Sequence, residues 1–180
     1  MNDDHDPDAL LPSDEATLER CFRLVDIELH AAALQRKRLQ RTEPEDESFD
    51  LRWWTDLQFL ILALWRLRLA AGLLRGTRYD SQQVQAALAL FDTTTPSLRT
   101  MRNIGEHTDE YAIDSPQRRE KAIDRRQLET GSWDGQTFYW LQKEDGTRHT
   151  LNVDLALDAA QALHRVLRET KIIAAMPSPE

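Results

Sequence analysis

Apolar residues recur at three- and four-residue steps through most of this chain, the spacing that lines one face of a helix. From Leu18 the positions Cys21, Phe22, Val25, Leu29, Ala32 and Ala33 keep this spacing to about residue 41, and Ser13 or Asp14 can cap the start. A second run, about 51 to 75, is apolar on nearly every side, with Trp53, Trp54, Phe59 and Trp65 among a series of leucines. A helix with no wet face must be covered by its own bundle or by a second subunit. Its longest central charge-free stretch, Leu57 to Trp65, is far shorter than the ~18 residues of a membrane span, so a core helix is expected and no membrane. Arg66 and Arg68 are read as stems snorkelling at its rim, with anion binding as the other use.

After a turn at Gly76 to Asp80, a shorter helix carries Val84, Ala87, Leu88 and Phe91 as its stripe. Thr93 to Pro96 stop it, with Thr95 placed to cap the next helix and Pro96 at its first position. That next helix is read over Leu98 to Ala112. At about 100° per residue, Leu98, Met101, Ile104, Gly105, Thr108 and Ala112 share one arc, while Arg99, Arg102, Asn103, Glu106, His107, Asp109 and Glu110 share the other. Asn103 and His107 stack one turn apart, and Arg102 points about 140° away from His107. One helix cannot easily aim both groups at one small target, whereas two copies across a twofold axis can.

Between Gly131 and Val153 the period falls to two. TFYWLQ and TRHTLNV flank KEDG, whose Asp145-Gly146 step is a hairpin turn signal. Phe138, Trp140, Leu151 and Val153 are expected to lie on the bundle, because a lone hairpin is marginal in water. Asn152 or Asp154 then caps a last helix to about Ile173, with Leu157, Ala160 and Leu163 inward. The pattern predicts an all-α fold, a bundle of about five helices with a small β-hairpin inserted before the last. One domain is expected over residues 14–173, with the hairpin at 131–153. A disordered acidic tail at 1–13 and a loose tail at 174–180 flank it.

Charge changes this picture locally. The chain of 180 residues has a formal charge of -8, but residues 1–15 hold six acids and residues 43–50 hold five, with no Lys or Arg in either stretch. Setting those eleven aside leaves 20 acids against 23 basic residues, so a local anion site on the body is allowed. The most basic window, Ser115 to Leu128, carries Arg118, Arg119, Lys121, Arg125 and Arg126, which could track an RNA backbone or simply solvate a helix. A single cysteine, Cys21, rules out an internal disulfide, suits a reducing cytoplasm and falls on an apolar arc as a buried thiol. The opening MNDDHDPD lacks the basic-then-apolar order of a signal peptide. There is no Gly-rich phosphate loop, no Ser-centred nucleophile motif and no paired-Cys zinc motif.

Arg102-Asn103-Ile104-Gly105-Glu106-His107 resembles the motif of the HEPN superfamily, in which Arg is followed by four to six residues and then His, often with a polar residue directly after the Arg. Here that residue is Asn103. A second match, Arg23 to His30, lacks the polar residue. The resemblance covers mainly residues 14–113 and the last helix. It implies a helical bundle that dimerises so that two motifs form one composite site. It also implies metal-independent ribonuclease activity in catalytic members, many of them toxins or defence effectors held by an antitoxin or other protein partner. Non-catalytic members bind nucleotides or act as assembly modules. The chain departs from nucleotidyltransferase-controlled members at Asp109, where they carry Tyr.

RNA cleavage without a metal or other cofactor needs a base for the 2'-hydroxyl proton, an acid for the leaving 5'-oxygen and fixed positive charge for the phosphorane. Imidazole titrates close to neutral pH and can serve either proton step, which assigns that role to His107. Arg102 would grip the phosphate in bidentate fashion, and Asn103 would orient His107 or the phosphate. The plainer alternatives are an Arg102–Glu106 ion pair at i,i+4 and a His107–Glu110 contact one turn on. A helical metallohydrolase using His30, His107 and His164 is a further alternative, although no two of these histidines share ligand spacing on one helix.

Overall fold

Ser13 opens the first helix. Its Oγ accepts the N–H of Ala16 at 3.2 Å, leaving Asp14 and Glu15 at the positive pole of α1 (Asp14–Leu39) and Arg36, Lys37 and Arg38 at the negative one. The computed structural model describes residues 11–41, 52–107, 131–142 and 146–176. Within α1 the buried positions Leu18, Cys21, Val25 and Ala32 follow the expected stripe.

The chain returns as α2 (Arg52–Ala71), which tightens into a 3-10 turn at Gly72–Leu74. α2 runs antiparallel to α1. Asp56 meets Arg38 at its start, Arg66 acts on Glu28 midway, and Asp14 of α1 accepts the N–H of Arg78 just past its end. Asp56 is 1% exposed. Arg38 Nε donates to its Oδ1 at 2.7 Å and Arg52 Nε to its Oδ2 at 3.4 Å. Arg52 Nη2 also donates to the carbonyls of Arg38 and Arg41, so it covers the open C-terminal end of α1. By length and composition the stretch Arg52–Leu74 could cross a membrane, but half of that window is buried inside the bundle.

Ser81 caps α3 (Gln82–Thr94) by accepting the N–H of Val84. α3 packs mainly on the last helix and reaches α2 through a two-bond ion pair, Arg68 to Asp92 at 3.0 and 2.8 Å. Arg68 is thus neither a snorkelling stem nor a free anion ligand. Thr95 closes α3, its hydroxyl donating to the carbonyl of Phe91, instead of capping the following helix. Pro96 and Ser97 form a turn, and α4 spans Leu98–Glu106. It is therefore shorter than the reading to Ala112. His107 leaves the helical conformation at φ -122° and ψ 33°, and residues 108–112 lie outside the described part.

The hairpin forms two of the three strands of a slightly larger sheet. β1 (Ser132–Trp133), β2 (Thr137–Gln142) and β3 (Arg148–Asn152) pair antiparallel in that order, with Phe138 opposite Leu151 and Trp140 opposite His149. β1 was not expected, since two residues cannot display an alternation. Phe138, Trp140, His149 and Leu151 turn inward at a period of two. Their aromatic rings meet the start of α2, with Trp54 edge-on to Trp140 at 5.0 Å and to Phe138 at 5.6 Å. Asn152 caps α5 (Val153–Ala174) by accepting the N–H of Leu155. Arg36–Asp154 and His164–Asp26 contacts then bind α5 to α1. The described residues are thus mostly helical, five α-helices and a small three-stranded sheet.

Candidate active site

α4 is held by its apolar arc. Leu98, Met101 and Ile104 are buried, which leaves Arg102 and Asn103 half-buried at the edge of the helix and Glu106 exposed. Gly105 sits against α2. A Cβ there would stand 2.6 Å from Gln58 Oε1 and 3.8 Å from Trp140, so a side chain at this position would have to displace the Gln58 amide. From the other end, Ser97 Oγ lies 3.2 Å from His149 Nδ1 in the buried layer under the sheet. The sheet thereby anchors the start of α4, and α2 supports its last turn.

Arg102 leans over Trp65, its Cζ 6.0 Å from the ring centroid. Its fork is engaged within its own helix: Nη1 donates to Asn103 Oδ1 at 3.0 Å and Nη2 forms an ion pair with Glu106. The i,i+4 pair expected from spacing is therefore formed. Arg102 Nε and Gln58 Nε2 are buried on the same α2–α4 seam and meet no hydrogen-bond acceptor among the described residues. His107 is the half-buried C-cap of α4, its N–H donating to the Asn103 carbonyl at 3.1 Å.

Arg102, Asn103, Glu106 and His107 therefore lie together on the last turn and a half of one short helix. The five basic residues read as an RNA track, Arg118, Arg119, Lys121, Arg125 and Arg126, lie outside the described residues, as do Asp109, Glu110 and Tyr111. Sequence reasoning passed over Gln58 and Trp65. The available signal was Gln58 as a lone polar residue in the charge-free run Leu57 to Trp65.

His30 and His164 converge elsewhere, on Asp26. His164 Nε2 is 3.3 Å from Asp26 Oδ1, and His30 Nδ1 approaches the Asp26 main-chain oxygen at 2.8 Å. Among the described residues no group of three or more His, Cys, Asp or Glu is arranged to hold a metal ion. A cleft of about 450 Å³ between α1 and α5 is crossed by the Arg36–Asp154 pair, and one of about 410 Å³ between α2 and α3 by Arg68–Asp92.

Fold and site together define a mostly helical protein that presents an Arg-Asn-x3-His edge at the end of a short helix, braced by a small antiparallel sheet. No protein-family model, no curated protein and no solved structure matches the chain.

Proposed function

We propose that this chain is a metal-independent endoribonuclease of HEPN type, a toxin or defence effector of the cytoplasm with a composite active site at a homodimer interface. The observation that supports it is the placement of Arg102, Asn103 and His107 together at the outer edge and end of α4, backed by Trp65. One His107 takes the proton of the RNA 2'-hydroxyl, whose oxygen attacks the phosphorus. The bond to the 5'-oxygen breaks and that oxygen receives a proton from the His107 of the second copy. The products are a 2',3'-cyclic phosphate and a 5'-hydroxyl. Arg102 steadies the phosphorane charge once a phosphate oxygen displaces Glu106 from its fork. Arg118, Arg119, Lys121, Arg125 and Arg126 follow the RNA backbone, and an antitoxin or other protein partner restrains the activity.

The Arg102–Glu106 pair favours one other reading, a non-catalytic HEPN-like module that binds nucleotides or assembles with a partner, its motif idle because the fork is already occupied. Incubating the purified protein with mixed RNA in excess chelator separates the two. Cleavage that leaves cyclic phosphate ends and disappears in His107→Ala is the expected result. Undiminished cleavage in His107→Ala refutes the nuclease assignment, and retention of RNA without cleavage by the wild type selects the module.

A further inference from the structure

Six large apolar side chains stand exposed along one side of the α1–α2 pair: Leu24, Ile27 and Leu34 on α1, Phe59 and Leu69 on α2, and Leu73 on the 3-10 turn that ends it, each between 39% and 56% accessible. At helical spacing the first three occupy one arc of α1. Phe59 and Leu69 share one arc of α2 with half-buried Leu62, and Leu73 follows on the 3-10 turn. Both arcs border the seam where Glu28 of α1 faces Arg66 of α2, so they form one surface. Burial raises the Glu28 carboxyl above its ordinary range and Arg66 partly offsets this. The other exposed large apolar residues are scattered over α3, α5 and the ends of the described chain. Scattered apolar groups are ordinary on a surface, whereas a contiguous patch marks an interaction site.

The long segment between α4 and the sheet has a composition poorly suited to cover this face. Residues 108–130 carry eleven charged side chains among 23 positions and only four large apolar ones, Tyr111, Ile113, Ile123 and Leu128. A second copy is suited to it. The 20 residues of α2 span about 30 Å, and two helices lie about 10 Å apart. The face therefore projects on the order of 600 Å², close to the ~800 Å² that each partner buries in a standard interface. Glu28 and Arg66 face each other within it, so these two charges stay mutually compensated when the face closes.

We propose that the exposed α1–α2 face is where a second copy of this chain docks. Trp65 carries Arg102 at the α2 rim of the face. A copy that lays its α2 antiparallel on this one, about an axis near Leu62, brings both Arg102–His107 motifs to the same side. The same axis holds the two Arg66 about 12 Å apart along the helix. The placement of the motifs rests on the nuclease reading, and the docking itself does not.

Sedimentation of the full chain, with circular dichroism as the fold control, tests the docking. The wild type is expected at twice the chain mass, and Ile27→Glu with Phe59→Glu at the single mass with unchanged helicity. If that variant does not fold, Leu62→Cys decides: oxidation is expected to give a linked dimer, while Leu155→Cys on α5 gives none. A monomeric wild type, a dimer unmoved by the charged substitutions, or equal linking at both cysteines overturns the proposal. Flotation of a monomeric wild type with phosphatidylcholine vesicles, lost in the charged variant, assigns the face to lipid and also overturns it. A dimer of the expected kind that cuts no RNA leaves the docking intact and removes the nuclease reading alone.

Discussion

Removing the Asp56 carboxylate tests the junction that joins the end of α1 to the start of α2. In Asp56→Ala, Arg38 Nε loses its acceptor at 2.7 Å and Arg52 Nε its acceptor at 3.4 Å. Breaking a buried ion pair costs about 3 to 5 kcal/mol, because the surviving charge is left without compensation. Two features reduce that figure here. The Arg38 side chain is 50% exposed and can turn to water, and Arg52 keeps its bonds to the Arg38 and Arg41 carbonyls. The expected loss is therefore about 2 to 3 kcal/mol. At about 2 to 4 °C per kcal/mol for a domain of this size, the midpoint should fall by roughly 4 to 12 °C. Asp56→Asn keeps an acceptor oxygen and should lose about half as much. Urea and thermal unfolding followed by circular dichroism measure both variants. Moderate salt should change the difference little, since a buried pair is weakly screened. An Asp56→Ala protein within about 0.5 kcal/mol of wild type, the scatter of ordinary surface substitutions, would refute the argument that this carboxylate clamps the helix pair.

Glu106→Gln releases one nitrogen of the Arg102 fork, and because an exposed i,i+4 pair is worth about 0.3 to 0.5 kcal/mol, RNA affinity should rise about twofold at low salt; weaker binding in a filter assay would contradict a phosphate-holding role for Arg102. Gly105→Ala pushes a methyl group toward Gln58 Oε1 and should cost about 1 kcal/mol, the low end for overpacking because the amide is a movable end; the cost should largely vanish in a Gln58→Ala background, and additivity of the two changes would show that they do not meet. Burial pushes the Cys21 thiol up to about 12 from its ordinary 9.0, so a thiol reagent at pH 8 should label it only after unfolding. Because the folded pKa is the higher, the stability Cys21 contributes is complete below about pH 9 and lost as pH rises toward 12, by up to about 1.4 kcal/mol per unit. Cys21→Ser should flatten that alkaline decline.

Elements whose cause lies within a few residues were readable along the chain. The caps at Ser13 and Asn152, the inward stripe Leu18, Cys21 and Val25, and the two-residue period of Phe138 and Trp140 each act over a turn or a strand, so spacing alone reveals them. The glycine closing the hairpin was readable for the same reason. Gly146 takes φ 83°, a conformation that its missing Cβ permits. The motif Arg102, Asn103 and His107 was visible as a string, and the Arg102–Glu106 pair as a spacing.

What the tertiary structure alone decided involves partners far apart in sequence. Arg68 found Asp92, Arg38 found Asp56 and Gly105 met Gln58, and no local pattern selects one such carboxylate or amide among many. The span of α4 belongs to the same class. Its polar row runs on past Glu106 in the sequence, but the helix, with Leu98, Met101 and Ile104 buried, ends at Glu106, where His107 departs from helical geometry. The apolar circumference of α2 announced that the helix needs cover all round. Packing then divided it, with Leu60, Leu64 and Leu67 sealed in the bundle and Phe59 and Leu69 left outside, because a chain folding on itself can bring neighbours to only part of a cylinder.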